Sequence, residues 1–202
     1  AVSPCGGALC WHDVVVSSAA TPKGERRRQA LVASAAELLL EGGFDAVRHR
    51  AVATRADLPL ASTTYYFDSL DDLIACAVEL NGNADMEAMR ARVAAVTQRR
   101  RGAESTVELL VELLLGDEEK RPESRERLIS RYDRFVACAR HPALRDVQLR
   151  LRAQLDDLLT DALRRSGRSA PEGQLRRLVA MVDGAMITAL GEYDPDPRGL
   201  AR

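Results

Sequence analysis

From Gly24 onward, apolar residues return at every third or fourth position, and Gly or Pro interrupts the pattern between runs. That spacing buries one stripe of a helix and does not suit a strand, whose side chains alternate between two faces. No stretch alternates long enough to make a strand, and no segment repeats. The chain of 202 residues is therefore expected to be all-α, with about eight helices. Their expected spans are 24–41, 48–56, 60–67, 70–99, 103–115, 122–140, 143–166 and 171–193. Gly42-Gly43 stop the first. Pro59 sits in the first turn of the third. Ser69 caps the fourth, with Asp71 and Asp72 in its first turn. Gly102, Gly116, Pro122, Pro142, Gly167, Pro171 and Pro195 mark the later boundaries.

Composition narrows the function classes. Hydrophobic residues make up 46%, enough for a core, and charged residues 29% with a net charge of -1. This excludes a wholly disordered chain, and it excludes a protein that holds nucleic acid by bulk positive charge. Any nucleic-acid site must be a local patch. No apolar run reaches the ~18–20 residues of a membrane span, so no membrane partner is expected. The cysteines at 5, 10, 76 and 138 are too few and too scattered for a disulfide framework. The apolar run at 14–20 is short and preceded by Asp13 where a signal peptide has a basic region, so the chain reads as cytoplasmic.

Residues 1–22 hold Pro, Gly and small polar residues without helical period and read as a flexible N-terminal tail. Aromatic residues are rare, yet Phe44, Tyr65, Tyr66 and Phe67 fall close together. A unit of three short helices needs such side chains to build a core from little chain. Residues 23–68 are therefore assigned to one domain and 69–202 to a second. Within the first, a short helix, a tight turn and a second short helix braced by a longer one give the helix-turn-helix layout. The second short helix is narrow enough for a major groove. Lys23, Arg26, Arg27 and Arg28 open the first helix, and Arg48 and Arg50 open the second. Between Lys23 and Phe67 seven basic residues face five acidic ones, a small excess gathered at helix ends.

Four strings carry a family resemblance: Gly42-Gly43-Phe44-Asp45-Ala46-Val47, Val52-Ala53-Thr54-Arg55-Ala56-Asp57-Leu58, Ser62-Thr63-Thr64-Tyr65-Tyr66-Phe67 and Ser69-Leu70-Asp71-Asp72-Leu73. In residue type and spacing they resemble the TetR family of bacterial transcriptional repressors over about 50 residues without a gap. Four positions depart from the family pattern. Arg48 stands for a usual Thr, Asp57 for Gly in the turn, Pro59 for a Ser cap, and Leu70 for a phosphate-binding Lys. The family's mid-helix Tyr falls on Thr64.

Carried over, the resemblance places Arg50, Ala61, Ser62, Thr64, Tyr65 and Tyr66 at DNA, with Arg28 and Arg48 from the basic helix starts beside them. Arg50 suits a guanine edge or a phosphate. The Ser62 and Thr64 hydroxyls suit bases or phosphates, and the Tyr65 and Tyr66 hydroxyls suit phosphates. Thr63, Phe67, Val52 and Leu58 read as core. The third helix has no Arg, Asn or Gln, so it names no operator sequence.

For the second domain the resemblance implies a small-molecule cavity and dimerisation through the last two long helices. Arg131, Tyr132, Phe135, Cys138 and Met181 are the candidate cavity residues. In the last helix Ala180, Gly184 and Thr188 form a stripe of small side chains, and a mid-helix Gly costs about 1 kcal/mol relative to Ala. Close approach of another helix explains it. Leu151 and Leu155 are expected to supply the facing apolar surface of the dimer.

The chain shows no catalytic pattern. His12, His49 and His141 lie far apart, and adjacent acids such as Asp156-Asp157 diverge by about 100° on a helix. Cys5, Cys10 and His12 lack a fourth metal ligand. No enzyme, cofactor or metal is expected. Two functions remain: a homodimeric, effector-responsive repressor on an inverted repeat of double-stranded DNA, or a helical small-molecule-binding or protein-interaction module that does not engage DNA.

Overall fold

The computed structural model describes residues 21–115 and 123–192, and every regular element among them is an α-helix. In order these are α1 (Pro22–Ala46), α2 (His49–Arg55), α3 (Ala61–Tyr66), α4 (Leu70–Ala95), α5 (Ala103–Leu115), α6 (Glu123–Arg140), α7 (Ala143–Arg165) and α8 (Glu172–Glu192). None of the described helices is long and apolar enough to cross a membrane.

The helix starts follow local chemistry. The Thr21 hydroxyl accepts from the Gly24 amide at 3.1 Å, and Pro22 fills the first turn. The expected tail therefore gives its last two residues to the α1 cap. The Ser69 hydroxyl accepts from the Asp72 amide at 3.1 Å, as the sequence predicts. The Gly42-Gly43 pair kinks α1 without ending it: Gly43 takes φ +65°, and helical turns resume to Ala46. In the turn between α2 and α3, Asp57 sits at φ +52°. The left-handed backbone explains why glycine is the common residue there, and Asp is among the side chains that accept it most readily. Pro59 lies just before α3 and accepts from the Ser62 amide through its carbonyl at 2.9 Å. At the far end of α7, Gly167 is left-handed and its amide bonds the Arg164 carbonyl, while the Arg168 amide reaches back to Leu163. That pair of bonds is a Schellman cap.

Two apolar clusters organise the packing. The first joins Leu31, Ala35 and Leu39 of α1, Val52 of α2 and Phe67 to Leu73 and Ala77 of α4 and to Leu144, Val147 and Leu151 of α7. The second joins Met89 and Val93 of α4 to α5, Tyr132, the C-terminal half of α7, and Val179, Val182 and Met186 of α8. Met86 packs against both. The core of the first three helices is thus completed by α4 and α7. Packing is continuous across the division expected at residue 68. The 26 residues of α4 span about 39 Å and run through both clusters.

Candidate nucleic-acid interface and interior cavity

The α2–α3 pair is fixed from behind by Thr63, expected in the core, and by His49 and Arg55. Thr63 is fully buried, and its hydroxyl donates to the Leu60 carbonyl at 2.9 Å. His49 Nδ1 lies 3.0 Å from the Thr63 hydroxyl oxygen. Because the Thr63 proton is already used, His49 Nδ1 carries the hydrogen and donates. Arg55 ties α2 to α1 through a two-pronged pair with Glu41, at 2.5 and 2.6 Å. This bond holds the Glu41 carboxyl below its ordinary value and raises the guanidinium of Arg55. Composition offers no signal for either brace, because the partners lie 14 residues apart in both cases.

With the inner groups engaged, the outer face is left to solvent. Arg50, Ala61 and Thr64 are exposed, Ser62 and Tyr66 are half-buried, and Tyr65 is 60% exposed. Tyr65 and Tyr66 meet edge-to-face at 4.9 Å. The Thr64 hydroxyl donates back to the Ala61 carbonyl at 3.2 Å and keeps its lone pairs outward. Arg48 folds onto its own turn, donating to the Asp45 carbonyl at 3.0 Å, yet stays exposed.

Arg28, expected at DNA, is half-buried and engaged within the subunit. Its guanidinium lies 5.2 Å over the Phe67 ring and its Nη2 is 3.5 Å from Cys76 Sγ. It clamps α1 to α4 and to the end of α3 instead of extending outward. A cation stacked on an aromatic face gains where it is shielded from water, and Phe67 is buried. Burial in turn pushes the Cys76 thiol upward in pKa, opposed by the charge of Arg28.

Behind this unit lies a cavity of about 120 Å³ between α4, α5, α6 and α7. A second hollow of about 100 Å³, towards α1, shares Asp85, Arg131 and Arg134 with it. Arg131 and Phe135 line the larger cavity as expected from the sequence. The other three candidates do not. Tyr132 points into the core beside it, and its hydroxyl donates to Asp183 Oδ1 at 3.2 Å. Burial drives that phenol well above its ordinary pKa, although Arg131 opposes the shift. Cys138 belongs to the other cluster, with Sγ 3.7 Å from the Leu144 carbonyl. On α6 the cavity-lining positions are 128, 131, 134 and 135, and Cys138 is not among them. Met181 is 75% exposed on the outer face of α8. The groups missed are Arg92, Arg134 and Arg152, all on its wall.

The helix faces place the residues expected at a dimer surface differently. Leu151 and Leu155 are buried inside the subunit and line the cavity. Both packing clusters draw α7's leucines inward. By contrast Ala180, Gly184 and Thr188 are exposed on α8, and a Cβ on Gly184 would meet nothing within 4 Å. The Thr188 hydroxyl donates to the Gly184 carbonyl at 3.0 Å, so it adds no unpaired donor to that stripe. Met181 and Ile187, also exposed, flank it.

At the junction of the two units, His141 Nδ1 is 3.3 Å from Asp71 Oδ2, and the Phe44 ring stacks on the imidazole at 6.4 Å. The start of α4, the kinked end of α1 and the α6–α7 turn meet there. Cys5, Cys10 and His12 lie outside the described residues.

An N-terminal helix-turn-helix with an exposed polar face, joined by a long helix to a bundle around a cavity, is the architecture of a one-component transcriptional regulator. A family model for the tetracyclin repressor-like C-terminal domain matches residues 101–202. The chain belongs to the TetR family of transcriptional regulators. Among solved structures, the multidrug binding protein EbrR complexed with proflavin superposes with a TM-score of 0.64 at 29% identity, covering 87% of this chain and 95% of that one. A TetR-family member (SCO1917) from Streptomyces coelicolor A3 gives 0.58 at 29% identity, covering 87% and 94%. A transcriptional regulator from Saccharomonospora viridis in complex with choline shares the fold at 0.67 and 20% identity, covering 88% and 92%. No curated protein sequence matches the chain.

Proposed function

We propose that the protein is a DNA-binding repressor that acts in the cytoplasm as a homodimer on an inverted repeat and leaves it when a small molecule occupies the interior cavity. The observation that carries this reading is the outward face of α2 and α3. Arg50, Ala61, Thr64 and Tyr65 are exposed there, while His49, Thr63 and Arg55 fix the helix pair from behind. A rigid, mixed cation-and-hydroxyl surface of this size suits phosphates and base edges.

The exposed stripe of Ala180, Gly184 and Thr188, with Met181 and Ile187, is the proposed seam with a second subunit. Two-fold pairing there presents two helix-turn-helix units, so the target must share the symmetry. The effector acts through α4, which forms part of the cavity wall and begins next to α3. Release requires the ligand to favour the non-binding conformation by the usual coupling of about 1–3 kcal/mol.

Selection from random DNA duplexes tests the reading. An inverted repeat is the expected product, with affinity falling steeply as salt rises because phosphate contacts release counterions. Recovery of no symmetric site overturns the proposal.

A further inference from the structure

The cavity wall has an unusual charge balance. Arg92 of α4, Arg131 and Arg134 of α6, and Arg152 of α7 all line it. Three carboxylates answer these four guanidinium groups. Asp183 pairs with Arg131 at 3.4 Å, Asp156 with Arg152 at 3.1 Å, and Asp85 acts on Arg134. Even with Asp85 counted wholly against Arg134, one positive charge is left over among the described residues. The donors are also underused. The Nε atoms of Arg92, Arg134 and Arg152, and Nη2 of Arg152, are buried with no hydrogen-bond partner among those residues. For Arg152 the Asp156 oxygen is near but poorly aligned, so the ion pair forms without a good hydrogen bond. Two acceptors, Gln148 Oε1 and Asp156 Oδ1, are buried without a hydrogen bond as well, against those four guanidinium donors. Unsatisfied donors thus outnumber unsatisfied acceptors four to two, and together with the surplus positive charge this favours a ligand with acceptor oxygens and negative charge.

The remainder of the wall is apolar, including Met86, Met89, Leu115 and Phe135. Its volume of about 120 Å³ is close to the ~150 Å³ at which an apolar cavity in a protein core takes up benzene. We infer that the effector is a compact organic monocarboxylate, its oxygens held by Arg134 and Arg92 and its ring or short chain among the methionines and Phe135. This inference rests on the proposed effector-responsive reading and adds the chemical class. It separates this chain from a binder of cationic dyes, because a cation here meets more guanidinium groups than carboxylates among the described residues.

The test is calorimetric titration of the full-length, DNA-free protein with two matched series: benzoate, benzamide and benzamidine, and hexanoate, hexanol and hexylamine. At least one carboxylate is expected to bind tenfold or more tightly than its neutral partner, with the cations and ethidium failing to compete. Arg134→Gln should remove that tenfold preference, and Arg134→Lys should restore part of it. Arg92→Gln provides a second, independent variant, and circular dichroism verifies that each folds. Equal or tighter binding of a neutral or cationic partner, or no binding by either carboxylate, overturns the inference. A gel shift run alongside separates the two claims: carboxylate binding without any DNA binding would sink the repressor reading alone.

Discussion

Gly82 of α4 lies directly beneath Leu151 of α7, so closely that a Cβ on Gly82 would fall 2.3 Å from Leu151 Cδ1. Leu151 belongs to the apolar cluster that contains the first three helices and also lines the cavity. The contact therefore couples the wall of the cavity to the core under the helix-turn-helix. Gly82→Ala adds a methyl to a filled space, at about 1–3 kcal/mol, and gains about 1 kcal/mol in helix propensity. The net expectation is a loss of about 0–2 kcal/mol. Leu151→Ala alone should cost about 2–5 kcal/mol. On that background Gly82→Ala should become stabilising by about 1 kcal/mol, since only the propensity gain remains. Urea unfolding of the four proteins measures the change of sign.

The DNA face separates contact from support. Arg50→Ala is expected to weaken operator binding by about 1–3 kcal/mol with unfolding stability unchanged. Tyr65→Phe should lose about 1 kcal/mol, the worth of one hydrogen bond. Arg28→Ala should instead lower stability, because its guanidinium packs on Phe67 and Cys76. Paired unfolding and gel-shift titrations distinguish these outcomes.

The His49–Thr63 bond sets how α3 sits on α2. Thr63→Val leaves the His49 Nδ1 hydrogen without its acceptor in a half-buried site and should cost about 1–3 kcal/mol. DNA affinity should fall with it, although neither side chain faces outward. An imidazole proton resonance that loses its protection from exchange in the variant is the direct readout.

Gly184→Leu is expected to leave the isolated subunit as stable as before, because its Cβ enters open space. If the stripe is the seam, the same change drives dimers apart and abolishes binding to the inverted repeat. Sedimentation of the folded variant decides: a fully dimeric Gly184→Leu protein would move the interface elsewhere.

The Arg55–Glu41 pair has a defined pH sense. The folded pKa of Glu41 is depressed below 4.5, so the pair contributes stability above about pH 4.5 and loses it as pH falls through the folded value. Arg55→Met should return the carboxyl to its ordinary range, seen in a carboxyl NMR titration, and should flatten the acid limb of the stability profile.

By itself the sequence determined what depends on neighbours along the chain. Helical periodicity, the Ser69 cap and the Gly167 stop set nearly all the helices, and the spacing around Gly42 to Leu73 set the family. These features act within one or two turns, where residue order and distance in space are nearly the same thing. It was less able to say which face of a helix points where. The leucines of α7 look like an interface until α4, α5 and α8 draw Leu151 and Leu155 inward. Arg28 looks like a DNA contact until Phe67 and Cys76 come beneath it. The arginines at 92, 134 and 152 look like scattered surface charge, being separated by 42 and 18 residues in order. Only the packing of four helices around one cavity brings them together, because burial and charge balance depend on which surfaces meet and not on which residues adjoin.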